Sequence, residues 1–222
     1  MRANEAAGKS SANTKNNKRG KPPVLTEDEI VDAALNVIRT EGLDALSMRR
    51  LSRELGRSAM AAYWYVEDKQ QLMNLVAKKM LAEVPLPDPE SGTWEEQLRE
   101  VVAAIDAKLR EHPGIAEILL QRMLSTDRRL MNGIFEILIS AGFEGPEIFL
   151  SYAMIHTYLF GRYQVVLHAD ELPDEEQVDN LEDAVARQLP HLERLRGRDF
   201  FSYGVDTIIA GLHARLEAKS QV

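Results

Sequence analysis

Apolar residues recur at three- and four-residue spacing along nearly the whole chain, and no stretch alternates as a half-buried strand does. The first stripe is Ile30, Ala33, Ala34, Val37 and Ile38. It is opened by Thr26 with Glu29 three residues on, a reciprocal capping box, and ended by Gly42. Met48, Leu51 and Leu55 stripe a second, short helix; Gly56 breaks it, Ser58 can cap a third, and Asp68 or its neighbour opens a fourth running to about Ala82. A Pro-rich joint, VPLPDPESG at 84–92, follows. Thr93 and Glu96 form a second capping box ahead of a helix to about His112, stopped by Pro113-Gly114. Further helices are predicted at about 115–123, 127–141, 146–168 and 199–219, with Pro146 at a first-turn position. The fold class is therefore all-α, with a small N-terminal unit at 24–82, its fourth helix acting as connector from about 68, and a larger helical unit at 83–222.

Within the small unit, LSRELGRSAMAAYWYVEDKQQL (51–72) reads as helix, turn, helix. Two helices crossing steeply through a short turn need a small residue at their approach, a residue tolerant of positive φ, and apolar residues facing the first helix. Ser52, Gly56, and Leu51, Leu55, Ala62 and Tyr65 supply these. The spacing is that of a DNA-binding helix-turn-helix, whose second helix would bring Ser58, Ala59, Met60, Ala61 and Tyr63 nearest a major groove. Tyr63, Trp64 and Tyr65 are consecutive, so they cannot all face one core. If Tyr65 or Val66 turns inward, Tyr63 and Trp64 face out, where a hydroxyl can bond a phosphate and an indole can pack on sugar and backbone. Lys69, at the start of the fourth helix, sits where a cation and helix-end amides could hold another phosphate. Core packing alone would also account for an aromatic αα-hairpin.

Charge changes this picture. The net charge is −8, but residues 1–82 hold 14 Lys+Arg against 10 Asp+Glu, whereas 83–222 hold 13 against 25. A basic N-terminal part suits phosphates, and the acidic remainder would face away from them. Residues 1–23 carry six bases and one acid with almost no large apolar side chains, the composition of a disordered basic arm; it is equally read as a DNA-contacting arm or a plain solvated tail. Residues 170–183 hold eight acids and no base and are expected to be peripheral.

ALSMRRLSRELGRSAMAAYWYVEDKQQLM resembles the DNA-binding domain of the TetR family of bacterial transcriptional repressors, and its Tyr-Trp-aromatic-Val group is especially like the tetracycline-repressor branch. The resemblance is strong over 26–82; beyond that it rests on length and helix layout. It implies that Arg49 contacts a base or phosphate, that Tyr63 and Lys69 contact phosphates, and that Ala59 to Ala61 face the groove. Tyr65 stands where the family usually has His, and Ala62 where it has Leu, so the domain interior must repack. Ala59, Met60 and Ala61 offer thymine methyls a surface but no bidentate bonds to G or A. Direct reading is therefore expected from Arg49, with Arg50 and Arg57 as further candidates, assisted by DNA shape.

The remaining 140 residues exceed what the small unit needs to fold, so they are expected to oligomerise, sense a ligand, or both. The last helix carries Phe201, Val205, Ile208 and Leu212 on one stripe beside Gly204 and Gly211; with Tyr158 these are the candidate dimer interface, although a monomer core would explain them equally. One helix-turn-helix recognises few bases, which favours a homodimer on a palindromic double-stranded operator. The resemblance implies that this helix and the one at 146–168 form a four-helix interface with their symmetry mates. Phe149, Tyr152, His156, Phe160 and Tyr163 follow helical spacing, and Met80, Ile105, Met123 and Phe135 could form an opposite wall. Together they are the candidate site for a small, largely apolar effector; plain core, and a core His156 with a backbone partner, remain open.

Composition excludes most else. There is no cysteine, hence no disulfide, thiolate metal site or Cys nucleophile. The five His show no i, i+4 pairing, and there is no phosphate-cradling Gly loop or nucleophile elbow, so no metal, no cofactor and no enzyme activity are expected. No apolar run approaches a membrane span, so a cytoplasmic protein without a membrane partner is expected. Two rival readings stay in view: a ligand-independent DNA-binding regulator controlled by a protein partner, and a small-molecule carrier or enzyme with a vestigial helix-turn-helix.

Overall fold

The computed structural model describes residues 25–58, 60, 63–112, 114–120, 123, 127–167 and 198–221, with isolated positions between 184 and 194. The expected basic arm, the acidic segment at 170–183, and Ala59, Ala61 and Ala62 lie outside the described residues. Among the described residues every regular element is helical. α1 (Glu27–Glu41), α2 (Met48–Glu54) and α3 (Lys69–Ala82) belong to the small unit; α4 (Trp94–Glu111), α5 (Ile115–Leu120), α6 (Arg128–Ser140), α7 (Pro146–Leu167) and α8 (Arg198–Ser220) build the larger one. The short helix expected after Ser58 shows helical backbone at Met60 and Tyr63.

Local chemistry fixes the ends. Both capping boxes form: Thr26 and Thr93 each accept from the backbone N–H of the Glu three residues on, and each Glu reaches back to the cap. Such caps contribute about 1 kcal/mol each. Asp68 caps α3 through Gln71, and Asp127 caps α6 by accepting from Arg129 and Leu130. At the α2 turn Gly56 has φ +60°, a left-handed conformation that side chains rarely adopt, and Ser52 is buried with its hydroxyl on the Met48 carbonyl.

Helix packing then places the units. α1 packs on α2 and α3; α3 packs also on α4 and α5; α5 lies against α7 in the most extensive contact, and α7 further holds α6 and α8. α3 thus buries Leu72, Met73, Val76, Ala77, Met80 and Leu81 between two layers. At the corner after α4, a Cβ on Gly114 would lie 2.8 Å from Leu43 Cβ, so the larger unit touches the loop after α1 without room to spare.

The acidic half contains a buried ionic cluster that periodicity gave no sign of. Asp106 on α4 is 2% exposed, pairs with the Arg162 guanidinium of α7, accepts from Tyr163 Oη at 2.9 Å, and lies 3.3 Å from Arg110 Nη1. The Arg162 guanidinium is also 4.5 Å from the Tyr163 ring centroid and 4.9 Å from that of Phe201 on α8. Removing one partner strands the other in low dielectric. Asp106→Ala should therefore cost about 3–5 kcal/mol in urea unfolding, whereas replacing Asp106 and Arg162 together by apolar residues should cost much less. Equal losses in the single and double variants would contradict this account.

The expected dimer stripe is corrected here. Phe201, Val205 and Leu212 are buried inside their own chain, and Ile208 is half-buried against the same core, because this stripe faces α7 and α4. Tyr158 is likewise an internal fastener: its hydroxyl donates to the carbonyls of Phe200 and Phe201, and its ring occupies the space where a Cβ on Gly204 would stand. Residues exposed on the opposite faces are Leu150, Met154, Thr157 and Val165 on α7 and Tyr203, Thr207, Ala210 and Ala214 on α8.

Candidate nucleic-acid interface and cavity

The three consecutive aromatics resolve as an inside–outside pair of faces. Val66 is fully buried and Tyr65 half-buried against the core, while Tyr63 is 49% and Trp64 82% exposed. Met60, Ser58, Arg49 and Lys69 are also exposed, so the structure brings these candidate contacts out on the solvent side of the small unit. Arg57 is half-buried. Lys69 is the first residue of α3 and borders a cleft with Leu43, Asp44, Asp68, Met73, Glu117 and Ile118, where the two units meet.

Arg50 has a different task from the base reading considered for it. Its Nε donates to Glu41 at 2.9 and 3.1 Å, and its Nη2 pairs with Glu54 at 2.8 Å; Glu54 also accepts from Asn36 at 2.6 Å. Hydrogen bonding to Arg50 holds the Glu41 carboxyl below its usual range. One cation is thus shared by two carboxylates, which laces α2 to the end of α1 and leaves no net positive charge for DNA. The spacing from 50 to 54 is one helical turn and was legible; the approach of Glu41 from another helix was not.

In the larger unit a cavity lies between α3, α4, α6 and α7. Its wall is Leu81, Ile105, Asp127, Leu130, Met131, Ile134, Tyr152, Ile155, His156, Leu159 and Phe160. Of the expected effector residues, Ile105, Tyr152, His156 and Phe160 line it. Met80 is buried beside Leu81 in the core, Phe135 packs edge-on against Tyr152 from behind, and the Met123 carbonyl accepts from the Tyr152 hydroxyl at 3.1 Å. Phe149 is partly solvent-exposed, and Tyr163 is committed to Asp106. The missed lining is Leu130, Met131 and Ile134 on α6 with its cap Asp127, Ile155 and Leu159 on α7, and Leu81 on α3; their periodicity was legible, their neighbours were not.

The cavity holds little: its free volume is about 30 Å³, room for about one water. Burial, only partly offset by a backbone hydrogen bond to Leu119, pushes the His156 imidazole down to about 4, and burial pushes the Tyr152 hydroxyl up to about 12. Both are neutral at pH 7. The His156 ring stands 4.6 Å from that of Phe160 and 5.9 Å from that of Tyr152, in a continuous aromatic wall.

Residues 30–76 match the model for bacterial regulatory proteins of the tetR family, and residues 86–216, more than half of the chain, match the tetracyclin repressor-like C-terminal domain. The chain belongs to the TetR family. It is 30% identical, over 87% of its length and 79% of the relative's, to the HTH-type transcriptional repressor DrrR1 of Streptomyces coeruleorubidus. It is 23% identical to the tetracycline repressor protein class E of Escherichia coli, over 88% and 94% of the two chains. Among solved structures, apo ActR from Streptomyces coelicolor aligns with a TM-score of 0.71 at 29% identity, covering 88% of this chain and 98% of ActR. ActR in complex with actinorhodin aligns at 0.66 and 30% identity, covering 87% and 97%. These relatives are regulators, and this TetR-family chain is a transcriptional repressor, not an enzyme. Among its described residues no helix is long and apolar enough to cross a membrane.

The depressed His156 value makes an acid prediction for the repressor. The unfolded chain binds a proton near 6.5 that the folded chain refuses until about 4, so this group's contribution to stability is present above 6.5 and is lost as pH falls through that window. The loss is on the order of 3 kcal/mol at most. Urea midpoints of wild type and His156→Leu, compared at pH 7 and pH 4.5, should show a smaller acid loss in the variant. Parallel losses would contradict a buried neutral His156.

Proposed function

We propose that this repressor grips a palindromic operator as a homodimer and is released by a small, largely apolar, uncharged effector that opens the cavity beneath α3. One observation carries the reading: Leu81, at the C-terminal end of α3, is part of the cavity wall, while the exposed Lys69, the candidate phosphate contact, stands at its other end. Fourteen helical residues span about 20 Å, so α3 is a lever joining the two sites. An effector cavity needs about 300–1,000 Å³, far above the present free volume. Binding therefore requires the walls to part, and α3 moves with them. Half-sites one helical turn apart lie about 34–36 Å centre to centre, so a few ångströms of splay cost several phosphate contacts. A hundredfold preference of the effector for the open conformer, about 2.7 kcal/mol, is enough for a strong response. ActR, 30% identical, has been crystallised with actinorhodin, which supports a small-molecule effector.

For the homodimer we take the outward faces of α7 and α8 as the contact. Leu150, Met154 and Thr157 recur at intervals of four and three, as do Tyr203, Thr207 and Ala210, and open space above Gly161 and Gly211 lets a second pair of helices approach. A ligand-independent repressor controlled by a protein partner draws on the same small free volume.

Two experiments test these readings. Small uncharged aromatic compounds that bind with a hundredfold excess over Kd should stabilise the protein by about 2.7 kcal/mol in thermal melts, and the same compounds should release a fluorescent operator. Stabilisation without release would refute the lever, and no stabilising compound would favour the partner-controlled reading. Separately, Arg49→Ala should lose about 1–3 kcal/mol of discrimination at one base pair, measured with variant operators. Arg50→Ala should instead lower the melting temperature; relaxed base preference in Arg50→Ala with a normal melt would reverse the two roles.

A further inference from the structure

The C-terminal end of α3 is held by a residue of the cavity wall's own helix. The last carbonyls of any helix lack intrahelical partners and carry the negative end of its dipole. Here Arg129 Nη2, from the first turn of α6, donates to the carbonyls of Leu81 at 3.1 Å, Ala82 at 3.2 Å and Val84 at 2.7 Å. The residues around Arg129 are the cavity lining: Asp127, which caps α6 by accepting from the Arg129 N–H at 2.8 Å, then Leu130, Met131 and Ile134. Leu81 contributes to both arrangements, its side chain to the cavity wall and its carbonyl to the guanidinium.

We infer that Arg129 is a positioning residue that couples the cavity to the DNA-reading unit: while α6 lies close, the guanidinium fixes the end of α3 in the DNA-binding pose, and a displaced α6 withdraws it. This rests on the reading of the cavity as the effector site and names the link by which that site acts. The geometry suits a switch. Three carbonyls converge on one nitrogen, so a small shift of the first α6 turn breaks several bonds together, and Arg129 is otherwise solvent-exposed, so water replaces them at small cost. A second ion pair at this end, Lys108 Nζ to Glu83 at 2.7 Å, comes from α4 and does not follow α6.

The test uses the full-length protein and an operator fragment selected from random DNA, with a cavity-filling substitution in place of an effector. Ile134→Phe adds bulk that the free volume cannot accommodate; Leu130→Phe is the second choice should Ile134→Phe fail to fold. Operator affinity is measured for wild type, the filled variant, Arg129→Gln, and the double variant, together with amide exchange at Leu81, Ala82 and Val84. Arg129→Gln alone should weaken operator binding at least tenfold and speed exchange at those amides, with exchange in α4 and α7 unchanged; Arg129→Lys should recover part of the affinity. Cavity filling should weaken binding at least tenfold in the wild-type background and less than threefold in Arg129→Gln. An equal effect of filling in both backgrounds overturns the coupling role. If filling has no effect on wild type, the reading of the cavity fails, and Arg129→Gln then decides alone: weakened binding with locally faster exchange upholds its hold on α3, and unchanged binding overturns it.

Discussion

α3 is buried on two sides at once, and the rest of the structure depends on that constraint. Leu72, Met73, Val76, Ala77, Met80 and Leu81 spread around much of its circumference, so one helix completes the core of α1 and α2 and also that of α4 and α5. A helix shared by two cores cannot shift relative to one without shifting relative to the other, because packed interiors rearrange between discrete arrangements and do not deform smoothly. The exposed Lys69 at one end and the cavity-lining Leu81 at the other are therefore mechanically connected by ordinary hydrophobic burial.

Around this shared helix, charged groups divide into those held for position and those left to meet a partner. Arg50 is spent on Glu41 and Glu54, and Arg162 on Asp106, while Arg49 and Lys69 stand in solvent on the basic unit. Only the second kind is available to phosphates and bases, which is why a basic composition alone overstates the number of DNA contacts. The neutral His156, by contrast, sits in a wall whose other members are almost all apolar, an environment that favours an uncharged occupant.

The secondary structure was legible in the sequence because its signals are local. Both capping boxes, the Gly56 turn and the outward Tyr63 and Trp64 follow from spacing within a single helix or turn. What periodicity could not supply is which element a given stripe faces. Phe201, Val205 and Leu212 form a real stripe, but it covers the chain's own α7 and α4. Met80, Phe149 and Tyr163 satisfy the same helical period as Ile105 and His156, yet only the latter two reach the cavity. The Asp106–Arg162 pair joins residues 56 positions apart, and Arg129 reaches carbonyls 45 to 48 positions away. Such long-range polar contacts leave no periodic trace.

Sequence-specific DNA reading by a two-fold protein is the property on which every role proposed above depends. Selection of bound fragments from a random DNA pool by the purified full-length chain tests that most directly. Enrichment of a palindrome whose half-sites are centred about one helical turn apart is the predicted result. Recovery of unrelated fragments, with binding that disappears at moderate salt, would contradict it and leave only phosphate contacts.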